Sequence, residues 1–176
     1  MLVHRVNVSP YIFLGMAMYR TGLDSETQWP DIQLSMISVT PAIDGGLIYR
    51  NSLNLNDELY EKYTPIHFKD GFFILPVLVH PKSRGTIKLR SRNPEMSPEI
   101  NPNYFDHPLD MKRMIQSVRF SQSLGRSRFF QRYGAEFYSR PVPQCQHLPG
   151  RDVLATNARP VIGQFISIWF SHWLNL

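Results

Sequence analysis

Residues 72–104 read FFILPVLVHPKSRGTIKLRSRNPEMSPEINPNY, and the fold class follows from how this stretch divides. Phe72-Phe73-Ile74-Leu75, continued through Pro76 by Val77-Leu78-Val79, is an apolar run of strand length. His80-Pro81-Lys82-Ser83-Arg84-Gly85 then turns the chain: Pro81 has a fixed φ and Gly85 a permissive backbone, so a hairpin loop is expected. Thr86-Ile87-Lys88-Leu89-Arg90 alternates, which places Ile87 and Leu89 on one face and Lys88 and Arg90 on the other. That pattern predicts a half-buried strand with Ile87 and Leu89 toward the core. Asn93-Pro94, Ser97-Pro98 and Asn101-Pro102 hold the following chain extended and non-helical.

Upstream, Trp29-Pro30-Asp31-Ile32-Gln33-Leu34-Ser35-Met36 alternates as cleanly, with Ile32, Leu34 and Met36 sharing one face and Gln33 and Ser35 the other. Residues 1–28 are apolar in part but without a clear period, and read as a partial lead-in segment. Asn56 to Tyr63 suits one or two helical turns, since Asp57 and Glu58 fit a helix N-terminus. Lys69-Asp70-Gly71 is a turn into the central strand.

Downstream, the helical signal is strongest over 108–125. Pro108 fits a first helical position, and Asp110 falls in the first turn, where the dipole favours an anion. Met111, Met114, Ile115 and Val118, with Leu124 further on, are spaced to pack one face on the sheet. Lys112, Arg113, Gln116 and Arg119 are expected on the other side, and Gly125 ends the helix. Arg128 to Tyr133 predicts a second short helix closed by Gly134, and Glu136 to Val142 an extended segment. The fold class is therefore α+β: an antiparallel sheet from strands near 30–39, 71–80 and 85–91, with the 108–125 helix on one face.

The bulk numbers agree with one folded domain. The chain has 176 residues, 43% hydrophobic and 19% charged, with 14 prolines that suggest thick loops around the sheet. A formal charge of +5 is compatible with a nucleic-acid or membrane partner, or with a piece of a larger protein whose acidic part lies elsewhere. Lys82, Arg84, Lys88, Arg90 and Arg92 form a basic cluster. Without aromatic interleaving it reads as a solvated strand face and a turn whose arginine pairs with a carboxylate, so no specific nucleic-acid binding is expected. No signal peptide is visible, and the apolar run from Val161 to Leu176 is too short and interrupted for a membrane span. The six histidines, His4, His67, His80, His107, His147 and His172, form no metal-spaced pair and read as structural or solvent histidines. Asn101-Pro102-Asn103-Tyr104 reads as a turn in which asparagines cap their own backbone.

Taken in order, Pro-Lys-Ser-Arg-Gly at 81–85, a strand ending in leucine, Asn93-Pro94, the segment from Pro98 to Tyr104 and Pro108-Leu109-Asp110 resemble the C-terminal, substrate-binding part of glucose–methanol–choline (GMC) oxidoreductases, with the flavor of insect glucose dehydrogenase-like members. Trp29-Pro30-Asp31-Ile32-Gln33-Leu34 matches the strand that passes the substrate cavity in that family, which implies Gln33, Ser35 and Ile37 as substrate-binding residues. The resemblance divides the chain into a lead-in at 1–28, a GMC-like substrate-binding domain at 29–150 and an unmatched tail at 151–176. It implies an FAD-dependent oxidation of CH–OH groups in an alcohol or sugar. The family's His-Gly-Thr segment and its Gly-x-Gly-x-x-Gly flavin loop are not in this sequence. No catalytic, cofactor or metal ligand is therefore assigned, FAD is not expected to bind this chain alone, and the chain is predicted inactive alone. In the resembling insect proteins a cysteine in the region of Cys145 would pair with one in the helix that follows; that partner is missing here, so Cys145 is expected to be a free thiol. The alternative is a non-catalytic binding module derived from the same sheet. Self-association through uncovered sheet is expected in either case.

Overall fold

A computed structural model describes residues 2–4, 13–25, 28–40, 42–52 and 57–138. Cys145, His147, His172 and the tail therefore lie outside the described residues.

Five strands form one sheet: β1 (Leu2–His4), β2 (Phe13–Tyr19), β3 (Ile32–Ile37), β4 (Gly71–Leu78) and β7 (Glu136–Phe137), in the spatial order β2-β3-β4-β1-β7 and antiparallel throughout. Between β4 and β7 lie β5 (Thr86–Lys88) and β6 (Glu99–Asn101), which pair only with each other. The helical elements are α1 (Tyr49–Ser52), α2 (Asp57–Tyr60) running into a 3-10 turn (Glu61–Ile66), α3 (Pro108–Gly125) and α4 (Arg128–Gln131). The architecture is the α+β one expected, with α3 and α4 against one face of an antiparallel sheet.

The register separates the two faces. Ile32 lies opposite Leu78, Leu34 opposite Pro76 and Met36 opposite Ile74. Directly opposed residues of an antiparallel pair project to the same side. This side is buried under α3 and α4: Ile32, Leu34, Phe72, Ile74 and Ala135 form the main core, flanked by Leu124 and Phe130. Pro76 is tolerated within β4 because β1 pairs only with residues 71–73. From Ile74 onward β4 has no second described neighbour, and edge positions are where a strand accepts a missing donor.

The helix 108–125 stands as predicted, but the stripe it buries differs. Asp110, Arg113, Met114, Ser117, Ser121 and Gly125 are the buried positions. Met111, Ile115 and Val118 lie beside them, half-buried with Phe105 and Leu78. Small serines let the helix axis approach the sheet, and each satisfies its own hydroxyl on the preceding turn: Ser117 Oγ donates to Met114 O at 2.7 Å and Ser121 Oγ to Ser117 O at 2.9 Å. Arg113, expected among the solvated cations, is 0% exposed.

The stretch around 85–91 departs most from expectation. It adds no strand to the main sheet, and residues 81–85 are not a hairpin loop. β5 pairs instead with β6, Ile87 opposite Ile100 and Lys88 opposite Glu99. Ile87 is 74% exposed and Leu89 88% exposed, so neither faces the core. Alternation is a property of the strand itself, and it gives a buried face only where a second layer is present. Gly85 is required by close approach and not by an unusual φ: a Cβ there would stand 2.4 Å from Asn101 O and 2.8 Å from Pro102 O. The asparagine turn forms as expected, Asn103 N donating to Asn101 Oδ1 at 3.1 Å, and Asn103 Nδ2 ties the ribbon back to Arg84 O at 3.1 Å.

Ile87→Asp should consequently change the unfolding free energy measured by urea melts by no more than about 0.5 kcal/mol, the range of exposed substitutions. Ile74→Asp, which puts a charge into the core beneath α3, should cost several kcal/mol. Equal losses would show that the ribbon is folded onto an apolar layer.

Candidate functional site

β3 owes its two-faced character to its sequence. Its polar residues, Gln33 and Ser35, fall on the side away from the helices, followed by Ile37. Across β4 the same-side neighbours are Val77, Leu75 and Phe73, and across β2 they are Met18 and Met16. Ser35 and Ile37 are buried, Gln33 is half-buried, and Met16 and Met18 remain exposed. The connection after β3 covers the Ile37 end of this side, where Ala42 and Ile66 pack with Phe73 and Tyr138. The Gln33 end is the open one. β3 is thus buried more completely than a strand with one wet face.

Gln33 Nε2 donates to Ser35 Oγ at 3.1 Å. One amide and one hydroxyl therefore sit together on an otherwise apolar platform of Leu75, Val77 and the two methionines. Such a surface can hold a small molecule by apolar contact and fix one polar group on it through the amide. The structure brings the three sequence-predicted residues onto one side of one strand.

A cluster the sequence reading did not find holds that strand in place. Arg113 Nη2 contacts Asp24 Oδ2 at 2.8 Å and its Nη1 donates to His80 O at 3.1 Å. Its Nε stands 3.0 Å from Asp31 Oδ2 without being aimed for a hydrogen bond, so that contact is electrostatic. Asp31 immediately precedes β3 and also accepts from Thr21 N at 2.8 Å and Thr21 Oγ1 at 2.6 Å. Lys82 Nζ lies 3.3 Å from Asp24 Oδ2. The cluster fastens α3, the chain before β3, the chain after β4 and the segment following β2. Burial, together with the Asp31 carboxylate, pushes the neighbouring Tyr19 hydroxyl up to about 12.

Asp110 closes the other end. Its carboxylate accepts from Lys82 N at 2.8 Å, Ser83 N at 2.7 Å and Ser83 Oγ at 2.6 Å. Burial alone would push the carboxyl's pKa upward. The Lys82 amide, the Ser83 hydroxyl and amide, and nearby His107 outweigh burial and hold the carboxyl below the usual carboxylate range. Arg84 does not pair with a carboxylate as expected: its Nη1 donates to Pro81 O and Ser83 O within its own loop. Lys82 is the residue of the basic cluster that finds an acidic partner. Lys88, Arg90 and Arg92 are exposed.

Of the histidines, His80 Nδ1 lies 2.9 Å from Pro30 O, His107 accepts from Leu109 N at 3.2 Å as the cap of α3, and His67 stacks on Tyr60 with ring centroids 5.2 Å apart. Among the described residues no group of three His, Cys, Asp or Glu side chains could hold a metal ion. No described helix is long and apolar enough to cross a membrane.

Residues 81–157 match the model of the C-terminal domain of the GMC oxidoreductase family. The chain is 34% identical over 80 residues to glucose dehydrogenase [FAD, quinone] of Drosophila melanogaster, an alignment that covers 45% of this chain and 13% of that protein. It is 33% identical over 72 residues to ecdysone oxidase of Spodoptera littoralis, covering 41% and 12%. To choline oxidase of Arthrobacter globiformis it is 36% identical over 58 residues, covering 32% and 11%. The alignments thus span about an eighth of each of these relatives. Residues 81–157 are thus similar to the C-terminal domain of GMC oxidoreductases, and the partial coverage fits a fragment.

Proposed function

We propose that this chain supplies the substrate-facing sheet of an FAD-dependent GMC-type oxidoreductase that acts on an alcohol or sugar, and that it does not turn over alone. The observation that carries this reading is the side of β3 away from the helices. There Gln33, Ser35 and Ile37 line up beside Leu75 and Val77, and one end stays open. Gln33 would turn its amide from Ser35 to a ligand hydroxyl, while Leu75 and Val77 hold the carbon skeleton and Ile37 closes the covered end.

The described residues do not fit a flavin dinucleotide. A pyrophosphate needs an open cradle of N–H groups at a helix N-terminus. At α3, the only described α-helix longer than four residues, His107 takes the Leu109 amide and the buried carboxylate of Asp110 occupies the first turn. An anion would meet an anion there. The flavin is accordingly assigned to other chain, and no catalytic step is assigned to residues of this one.

The test is a titration of the purified full chain with D-glucose and with 1-butanol, followed by amide chemical shifts. Saturable shifts confined to 33–37 and 73–77, lost in Gln33→Leu with the melting temperature unchanged, are expected. Mixed with FAD and desalted, the protein should emerge colourless. Stoichiometric flavin absorbance would overturn the division of labour, and the absence of saturable shifts would overturn the substrate role. Saturable binding of a peptide on the same residues, without either alcohol, would favour a non-catalytic binding module.

A further inference from the structure

The side of β3 that carries Gln33 and Ser35 extends over both neighbouring strands, and its make-up limits what can bind there. Two rows of side chains cross it: Val77, Gln33 and Met18 in one, Leu75, Ser35 and Met16 in the other. No charged residue falls on this side of β2, β3 or β4. The polar side chains of the two rows sit on the middle strand, where the Gln33 amide already donates to the Ser35 hydroxyl at 3.1 Å. To either side the rows are hydrocarbon and thioether. Leu75 and Val77 are half-buried, whereas Met16 is 65% exposed and Met18 49% exposed, so the uncovered apolar area lies toward β2.

That inventory sorts the alcohols. A sugar carries a hydroxyl on nearly every carbon, and each one taken out of water without a partner costs its desolvation. One amide and one hydroxyl leave most of them against methyl groups and sulfur. An ammonium or carboxylate on the ligand would find no opposite charge in either row. An alcohol with a single hydroxyl and a long apolar body has the balance that fits: the hydroxyl on Gln33, the body over Met18 and Met16. From Gln33 that path runs across one interstrand spacing of about 4.8 Å and then along two residues of about 3.4 Å each. 1-Butanol is too short to follow it, and 1-octanol is long enough to reach both methionines. Methionine, flexible and polarisable, moulds itself to such a body. We infer that the substrate is a neutral alcohol with one hydroxyl and a long apolar body, and that Met16 and Met18 are the residues that select it over short alcohols and sugars. The inference rests on the substrate role proposed above for β3.

The test titrates the full chain, labelled at its amides and methyl groups, with 1-octanol, 1-butanol and D-glucose. 1-Octanol should bind at least about tenfold more tightly than 1-butanol, since each added methylene that leaves water on one side tightens binding about twofold. It should move the Met16 and Met18 methyl signals, which 1-butanol should leave in place. The double variant Met16→Gln with Met18→Gln keeps side-chain length at two exposed positions, so its melting temperature should match wild type. In it the two alcohols should bind alike. D-Glucose bound as tightly as 1-octanol, or an octanol preference that survives the double variant, would overturn this inference and leave the substrate role standing. Equal shifts at Ile87 and Leu89, which are exposed on the separate β5–β6 ribbon, would show partitioning onto any exposed apolar side chain and would overturn it as well. Silence of residues 33–37 and 73–77 toward all three ligands would overturn the substrate role itself, and this inference with it.

Discussion

Arg113→Met should remove most or all of the stability of this chain, at a cost of about 3–5 kcal/mol, the range for breaking a buried pair by deleting one partner. The guanidinium is completely buried and serves Asp24, Asp31 and the carbonyl of His80. Methionine fills much of the same volume, so the loss measures charge and hydrogen bonding more than a cavity. Asp31 would then be left buried with the Thr21 donors, and Asp24 without its guanidinium partner. Arg113→Lys should recover little, because one ammonium group cannot reach along three directions as the guanidinium fork does. Urea melts of the single variants and of Arg113→Met with Asp31→Asn isolate the coupling. The double variant should be more stable than the sum of the two single losses implies. Simple additivity would mean that Asp31 is held by Thr21 and owes nothing to Arg113.

That cluster also marks where reading the sequence stopped. The alternation at 32–36 and the helix at 108–125 were legible because burial repeats along them with the period of the element. Ile32, Leu34 and Met36 face α3 and α4 as read, and Gly125 ends the helix as read. The three proposed site residues were found on one side of β3 for the same reason. Ile87 and Leu89 misled because the same alternation arises in a ribbon that has no layer beneath it. β1 and β2 were missed for the opposite reason: β2 lies at an edge, and its exposed glycine, alanine and methionines leave no two-residue rhythm in the sequence.

Arg113 was misplaced because helical periodicity was scored by hydrophobic residues. The buried stripe actually runs through Asp110, Arg113, Ser117, Ser121 and Gly125, small or charged residues three or four apart. A signal was present in that spacing. Aspartate and arginine three apart on the line that also carries two serines and a terminal glycine is a poor pattern for a wet face and a good one for close packing with buried charge. What no local pattern contains is the identity of the partners. Asp24 and Asp31 come from a loop far away in sequence, and only the antiparallel pairing of β2, β3 and β4 brings them to α3.

Asp110→Ala should cost about 2–4 kcal/mol, on the scale of charge-assisted hydrogen bonds of roughly 1.5–3 kcal/mol each, less than additive because the donors share one loop. The carboxylate gathers the Lys82 amide, the Ser83 amide and the Ser83 hydroxyl. Ser83 Oγ in turn accepts from His107 N at 3.0 Å, so one side chain joins the loop after β4 to the cap of α3. Asp110→Asn should be nearly as harmful: its amide oxygen can serve one N–H, but its NH2 would face the other donor. The pH dependence follows from the sign of the shift. Asp110 titrates lower in the folded chain than in the unfolded one, so its stabilisation is complete above the ordinary carboxylate range and is lost as pH falls through the folded value. Wild type should therefore lose stability on acidification by more than Asp110→Asn does, and the two curves should converge in acid. Parallel curves would show that the carboxylate is not ionised in its hydrogen-bonded state. Amide exchange gives the local reading: Lys82 and Ser83 should lose protection in Asp110→Ala while Leu34 and Ile74, deep in the sheet, lose only what the global fall in stability dictates.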